Sequence, residues 1–358
     1  MSGEWRVARG VSFSVIPSEA RNLLSSLATT LVLLLLVNPL HAVLGAQRTH
    51  LLIVSGLGGE PQYSEEFRTL GFSLFDAARK RYAMPDSDVV YLAEEGSKDP
   101  RIAGVSTKVN VEAALARFAK RSGPGDQMVL VLIGHGSGAQ EDSKISLPGP
   151  DMSARDFARD LAAFGTQQVA FVDLTSASGD MLPFVSGANR VVITATKSSF
   201  ERNESVFAKH FVAALSSDGA DVDKDGRVSL LEAFRYAVTE TKRYYEDQGR
   251  LQTEHAQLDD DGDKKGTAEP SMQVAAASDG ALARRIFLGG GTYASAAGAN
   301  DPRLAALYKE RFTLEGRIEE LKKRKTTLSA DAYDDALEDL LVELAMKSKE
   351  IRAMEGRS

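Results

Sequence analysis

The chain of 358 residues contains no cysteine. This absence excludes disulfide bonds, thiolate zinc sites, iron–sulfur clusters and a cysteine nucleophile. Any chemistry that the protein carries out must therefore use oxygen or nitrogen groups or a bound metal. The sequence also lacks an excess of positive charge, because 43 Lys and Arg stand against 50 Asp and Glu, giving a net charge of −7. This balance disfavours nucleic acid as a partner.

A hydrophobic run long enough to span a bilayer, about 20 residues, is missing near the N-terminus. The run at 27–37 has eleven residues. It follows Arg6, Arg9 and Arg21 and precedes the small residues around 42–46, an order typical of a cleaved export signal. We expect 1–46 to be a signal peptide and the protein to be periplasmic or secreted. A membrane would be a partner only if this segment stayed uncleaved.

Short apolar runs alternate with stretches of helical period from His50 onward. Parallel strands covered on both faces read as such near-continuous runs of Val, Ile and Leu. We therefore predict an α/β fold, a three-layer sandwich with a mostly parallel central sheet, over 47–288. The predicted strands are Leu51–Ser55, Val89–Leu92, Met128–Ile133, Val169–Val172 and Val191–Ala195, and the predicted helices are Ser64–Tyr82, Val109–Arg121, Ser153–Phe164 and Glu204–Leu215.

The C-terminal part has a different pattern. The segment 289–301 is rich in Gly and Ala, which predicts a linker. Over 302–358, Leu and Ile recur at spacings of three and four, with a break near Ser329. This favours a helical hairpin or short coiled coil that could self-associate through 302–355. Packing of the same helices against the α/β domain is an equally open alternative.

Two predicted strands end in polar residues that are suited to chemistry. Val129 to Ile133 leads into Gly134-His135-Gly136, and Val169 to Val172 leads into a turn that contains Ser176. Ligand sites in parallel sheets lie at the carboxyl ends of strands. An imidazole flanked by glycines there is suited to proton transfer, although a structural turn is the alternative interpretation of His135.

The segments VLVLIGHG and VAFVDLTSASG together resemble the legumain-type peptidases, relatives of caspases and gingipains. In that family one apolar strand ends in His-Gly and a later one ends in a turn that carries the nucleophilic cysteine before Ser-Gly. The resemblance extends from His50 to about Gly266 and implies a caspase-like sandwich. It also implies a catalytic pair of His135 and Ser176, with the backbone N–H groups of Gly136 and Ser176 as oxyanion donors.

The departure from the family falls on the nucleophile, because Ser176 stands where the cysteine belongs. A serine hydroxyl needs a base in hydrogen-bond contact, and the sequence identifies no carboxylate that would orient that base. Three interpretations stay open: a relic in a non-catalytic domain, a working serine nucleophile, and an ordinary turn residue. The elbow motif Gly-x-Ser-x-Gly of serine hydrolases matches neither Ser137 nor Ser176.

A twelve-residue stretch, 221–232, matches the EF-hand calcium loop. Acids stand at positions 1, 3 and 5, Gly226 at position 6 and a glutamate at position 12. The predicted Ca²⁺ ligands are Asp221, Asp223, Asp225, the backbone carbonyl of Arg227, Ser229 and Glu232. Between Asp218 and Asp263, thirteen acids face six bases, so the negative excess of the whole chain lies around this stretch. An acidic turn that caps the following helix is the alternative.

Other polar groups give weaker signals. The acids at 259–263 have no glutamate at the twelfth position, so they are a partial site at most, and a solvated loop is the default interpretation. Glu254 and His255 resemble a zinc pair but lack a spaced partner, and His210 reads as structural. Together these patterns predict an exported, calcium-binding peptidase-family domain that binds a peptide or protein. Hydrolysis by Ser176 and His135 is the alternative.

Overall fold

The computed structural model describes residues 47–203, 205–217, 219–222, 227–271, 278–289 and 302–355. A seven-stranded sheet lies at the centre. Its strands are β1 (Thr49–Ser55), β2 (Val89–Ala93), β3 (Gly104–Val105), β4 (Gln127–Ile133), β8 (Gln168–Asp173), β9 (Arg190–Thr194) and β10 (Gln257–Asp259). Their spatial order is β10-β9-β8-β4-β1-β2-β3. All of them run parallel except β10, which pairs antiparallel with β9.

Helices cover both faces of this sheet. Their bounds are α1 (Pro61–Asp76), α2 (Lys108–Arg121), α3 (Ala154–Leu161), α4 (Leu182–Val185), α5 (Val206–Ser216), α6 (Leu230–Asp247), α7 (Pro302–Lys323) and α8 (Ala330–Glu355). Alternate residues of a strand point to opposite faces. On β1, Leu51 and Ile53 therefore pack with α1, α5 and α6, whereas Leu52 and Val54 pack with α2, α3 and α4.

The two faces form two separate hydrophobic cores. Phe207, Phe211 and Phe234 fill the first core, and Phe118, Phe157 and Phe171 fill the second. Each such side chain contributes about 1.5–3 kcal/mol when it is fully buried. The α/β fold with a mostly parallel central sheet is thus confirmed, and its arrangement is that of a three-layer sandwich.

The predicted elements lie at the expected places. Each predicted strand coincides with one of β1, β2, β4, β8 and β9 to within two residues at either end. The first predicted helix continues beyond α1 through a π-helical turn at Ala77–Arg81. A small second sheet is formed by β5 (Gly136–Ser137), β6 (Lys144–Ile145) and β7 (Met152–Ser153).

The helices α7 and α8 pack against each other. Their contacts form two small apolar clusters, one of Leu304, Leu307 and Ile351 and the other of Leu314, Ile318 and Leu340. Ser329 Oγ accepts a hydrogen bond from the backbone N–H of Ala332 and so caps the start of α8. Glu315 of α7 lies 3.9 Å from the buried guanidinium of Arg227.

Several predicted segments lie outside the described residues, namely the signal peptide 1–46, most of the linker 289–301 and the calcium-loop residues 223–226. Among the residues that are described, no helix combines the length and the apolar character that a membrane span requires.

Candidate functional site

The order in which the chain adds strands to the sheet reverses at β1. The strands β2 and β3 lie on one side of β1, whereas β4, β8, β9 and β10 lie on the other side. Such a switch point leaves a crevice beyond the strand ends, where ligands bind in open α/β sheets. His135 follows β4 and Ser176 follows β8, and these two strands are direct neighbours.

The imidazole of His135 is half-buried against helix α1. The ring centroids of Tyr63 and Phe67 lie 5.0 Å and 5.1 Å from that of His135, both in edge-on geometry. Such contacts hold an aromatic ring in a defined orientation. No sequence pattern indicated these two contacts, because Tyr63 and Phe67 lie about 70 residues before the histidine.

Ser176 is almost fully buried, with 3% of its surface exposed. Its Oγ accepts a hydrogen bond from the backbone N–H of Gly136 at 3.3 Å. The two turns are in such close contact that a Cβ at position 136 would lie 2.1 Å from the carbonyl oxygen of Ser176. The turn then reverses at Ala177, which has the left-handed φ of 56°, and the Ala177 N–H donates to the carbonyl of Glu201 at 2.8 Å.

The structure therefore brings His135, Gly136 and Ser176 to one place, as the strand order requires. Among the hydrogen bonds of the described residues, none joins the imidazole of His135 to the hydroxyl of Ser176. The Gly136 N–H, expected as an oxyanion donor, is instead in contact with the Ser176 hydroxyl.

Asp173, the last residue of β8, lies beneath this turn and was not singled out from the sequence. Its Oδ1 accepts hydrogen bonds from Thr175 N at 3.0 Å and from Thr175 Oγ1 at 2.7 Å. Its Oδ2 is buried and has no hydrogen-bond partner in the part of the chain that the structure describes. Burial raises the pKa of Asp173 to about 7, against the lowering effect of the two Thr175 hydrogen bonds. A carboxyl that ends an apolar strand is the signal that would have found it.

A cleft of about 430 Å³ opens beside His135, at the carboxyl ends of β1 and β2. Phe67 connects the two features, because it lines the cleft and contacts the imidazole. The charged lining residues are Glu60, Arg68, Glu94 and Glu95. Gly56 and Gly59, in the turn that follows β1, also line the cleft.

The described part of the predicted calcium loop is tied together at its ends. Glu232 Oε1 accepts from Val222 N at 3.1 Å, and Oε2 accepts from Ser229 N at 2.9 Å and from Ser229 Oγ at 2.8 Å. Ser229 and Glu232 thus form a capping box at the start of α6. The Arg227 side chain is buried over the ring of Phe287, with 4.1 Å between the guanidinium carbon and the ring centroid. Asp221 is described, whereas Asp223 and Asp225 lie outside the described residues.

A group of acids that could hold a metal ion lies elsewhere, at Asp259, Asp261 and Asp279. One carboxylate oxygen of each residue lies within 4.8 Å of the others. The first two come from the acidic run that the sequence favoured as a solvated loop. Asp279 is 18 residues further along the chain than Asp261, and no spacing rule connected it with that run.

The remaining candidates have structural partners. Glu254 is buried and accepts from Val206 N at 2.9 Å, Phe207 N at 3.1 Å and Ser205 Oγ at 3.0 Å, so it holds the N-terminus of α5. His255 Nδ1 lies 2.6 Å from Glu201 Oε1. His210 is half-buried on α5, and burial lowers its pKa. The three side chains therefore serve the packing of this end of the sheet.

Comparisons with known proteins add little to the site. No protein-family model matches the chain, and no curated relative matches it. A solved structure that aligns with it is protein GSU0716 from Geobacter sulfurreducens, at 12% identity and a TM-score of 0.37, over 54% of this chain and 89% of that one.

Proposed function

We propose that the chain is an exported peptidase-family domain of the legumain and caspase type that no longer hydrolyses peptides and instead binds a peptide or protein segment. The support is the convergence of His135 and Ser176 at neighbouring strand ends of a mostly parallel sheet. The resemblance assigns catalysis to these positions. Their side-chain environment argues against catalysis.

The observation that carries the proposal is the position of the Ser176 hydroxyl. It is buried, and its Oγ is bound to the Gly136 N–H. A serine becomes a nucleophile only when a base removes its proton. It also needs a free N–H donor for the oxyanion that forms. In this arrangement the hydroxyl occupies Gly136 N–H, one of the two donors that the resemblance assigns to the oxyanion.

The cleft beside His135 is the place where we expect the peptide. Its volume accommodates a side chain and adjoining backbone. Glu60, Glu94 and Glu95 outnumber Arg68 on its lining. A net negative lining favours a ligand with Lys or Arg side chains, and the contacts should weaken as salt screens them.

Hydrolysis and binding are separated by one experiment on the full chain. Wild type, Ser176→Ala and Ser176→Cys are incubated with a fluorogenic peptide library in calcium buffer. We expect no turnover by wild type or Ser176→Ala. Turnover by Ser176→Cys alone would identify a decayed active site, whereas turnover by wild type that Ser176→Ala abolishes would refute the proposal.

Binding is tested by fluorescence anisotropy with Lys-rich and Glu-rich peptides. The double variant Glu94→Gln/Glu95→Gln should weaken binding of the Lys-rich peptide about tenfold. Glu65→Gln is the matched control, because Glu65 is exposed on α1 and does not line the cleft. Equal affinity for both peptides would contradict the assigned charge preference.

A second candidate function is a serine-type hydrolase that uses Ser176 and His135. The observation that favours it is the fixed orientation of the imidazole between Tyr63 and Phe67, within the same strand-end crevice as the serine. A rotation of Ser176 about χ1 would be needed to release Gly136. Loss of turnover in both Ser176→Ala and His135→Ala would identify this activity.

We further propose that the stretch 221–232 binds Ca²⁺. Its two ends meet, since the Val222 N–H donates to Glu232, and oxygen donors suit this cation. Asp221→Asn should then remove one calcium from the measured stoichiometry. An unchanged stoichiometry would contradict binding at this loop.

Self-association through α7 and α8 is proposed from one face of α8. Leu341, Val342 and Met346 are exposed by 48%, 53% and 60%, although the opposite face of the helix already packs on α7. Light scattering after size exclusion should show an oligomer that Val342→Glu/Met346→Glu converts to monomer. A wild-type monomer at high concentration would refute this assignment.

A further inference from the structure

Three aspartates converge at the edge of the sheet. Asp259 is the last residue of β10, and Asp261 lies two residues later in the following turn. Asp279 comes from a separate segment, four residues before the start of the short 3-10 helix Ala283–Arg285. One carboxylate oxygen from each of the three lies within 4.8 Å of the others.

Each of these carboxylates is oriented by a backbone donor. Asp259 Oδ1 accepts a hydrogen bond from Gly262 N at 3.0 Å, and Asp261 Oδ1 accepts one from Asp263 N at 2.9 Å. Asp279 Oδ1 accepts one from Asp260 N at 2.9 Å. Hydrogen bonds of this kind fix ligand orientation around metal ions. Within the described ranges, no hydrogen bond is made to the Oδ2 atom of these carboxylates.

An independent observation concerns Asp259. It is 1% exposed, and among the described residues its buried Oδ2 has no hydrogen-bond partner. Among the described residues, no Lys, Arg or His lies within ion-pair distance of Asp259, Asp261 or Asp279; the ion pair of this run joins Lys265 to Asp263 instead. A buried anionic oxygen without a compensating group is strongly unfavourable.

Asp260, inside the same run, adds to the negative charge but is fully occupied. Its carboxylate accepts from Gly280 N at 2.8 Å, and from Leu282 N and Ala283 N at 2.7 Å each. It therefore anchors the segment 278–289 to the turn after β10. The neighbouring three carboxylates lie against this same junction.

We propose that Asp259, Asp261 and Asp279 bind a divalent cation, Ca²⁺, which fastens the segment 278–289 to the edge strand β10. The donor set is all oxygen, which selects hard cations. Oxygens that lie within 4.8 Å of one another are close enough to bind one Ca²⁺ together, each at about 2.4 Å. Asp261 is exposed, so solvent has access to complete the coordination shell.

The fastened segment has a clear structural task. The Ile286 carbonyl accepts from Leu230 N at 3.0 Å, Phe287 bridges to Ser229, and the Phe287 ring covers Arg227. A cation at the three aspartates thus stabilises the segment that lies over the start of α6. This role is separate from peptide binding in the cleft, and the fastened segment contacts Arg227 and Ser229 of the proposed calcium loop.

The test uses the full chain carrying Asp221→Asn, treated with chelator, so that the calcium loop does not contribute. Isothermal titration with CaCl₂ should show one site, and saturation should raise Tm by about 5 °C. Asp261→Asn and Asp279→Asn, added singly, should each weaken binding at least tenfold and remove the rise in Tm. Asp263→Asn is the matched control, because this exposed acid of the same run lies outside the triad. It should leave the calcium affinity and the rise in Tm unchanged.

The proposal is overturned if Asp221→Asn shows no calcium heat and no rise in Tm, or if Asp261→Asn and Asp279→Asn bind as tightly as their parent. Tighter binding of Mg²⁺ or Zn²⁺ than of Ca²⁺ would overturn the choice of cation. Circular dichroism without metal separates loss of binding from loss of fold, because Asn keeps the shape of Asp.

Discussion

The backbone N–H of Gly136 donates to Oγ of Ser176 across 3.3 Å, joining the turns that follow β4 and β8. This bond requires the two backbones to approach more closely than any side chain at position 136 would allow. A Cβ there would lie 2.1 Å from the Ser176 carbonyl oxygen and 2.7 Å from Thr175 Oγ1.

The close approach predicts the effect of Gly136→Ala. The added methyl group should destabilise the fold by about 2–3 kcal/mol, since backbone atoms must shift to relieve the overlap. Gly165→Ala is the control, because a Cβ at that position meets no atom within 4 Å, and it should change stability by less than about 0.5 kcal/mol. Urea unfolding measures both, and equal stabilities of the two variants would contradict the prediction.

Asp173 predicts a pH dependence of stability. Its folded pKa of about 7 lies above the ordinary value of 3.8, so between these values the folded state binds more protons than the unfolded state. The Asp173 contribution to stability is therefore lost as pH rises from about 4 to about 7.

The variant Asp173→Asn isolates this contribution. Its oxygen can still accept both Thr175 hydrogen bonds, and it does not titrate. The difference in unfolding free energy between Asp173→Asn and wild type, measured by urea unfolding, should shift by about 2–3 kcal/mol in favour of the variant from pH 5 to pH 8. The control variant Asp142→Asn, at an exposed position, should show the same pH dependence of unfolding free energy as wild type across this range. A constant difference between Asp173→Asn and wild type would show that Asp173 does not titrate as stated.

Glu254 predicts a large loss of stability on a nearly isosteric change. It accepts two backbone N–H groups and the hydroxyl of Ser205 at the start of α5. Glu254→Gln removes the charge that favours a helix N-terminus and turns an amide NH₂ toward these donors. Thermal or urea unfolding should show a loss of about 3 kcal/mol. Glu246→Gln, exposed on α6, should stay within about 0.5 kcal/mol of wild type.

The buried stack of Arg227 on Phe287 predicts a measurable coupling. A double-mutant cycle with Arg227→Met and Phe287→Leu should give a coupling free energy of about 1–2 kcal/mol. The reason is that Arg227 is only 2% exposed, so little solvent screens the contact. The stack of Arg101 on Phe72 is a natural comparison, with a 30% exposed arginine side chain at 3.6 Å. Its coupling should be smaller, and the reverse order would contradict the role of burial.

Much of the fold could be predicted from the sequence, and the reason is burial. The strands β1, β4, β8 and β9 are covered on both faces, so they appear as apolar runs that local composition identifies. Neighbouring parallel strands also share a carboxyl edge, which is why His135 and Ser176 could be predicted to lie near each other. The helices α2 and α5 were recognised from their period because each buries one face.

The details of the site could not be predicted, since they depend on groups distant in sequence. Glu254 resembled half of a zinc pair but serves α5, which begins 48 residues earlier. Asp173 was not singled out from the sequence, and burial in the folded protein gives it a raised pKa.

The sequence by itself determined the layers, the strand ends and the absence of a thiol at position 176. Tertiary structure alone decided that the Ser176 hydroxyl faces Gly136 and that Asp279 joins Asp259 and Asp261. Local pattern records which residues are buried, whereas the direction of a side chain and its distant partners follow from how the elements pack.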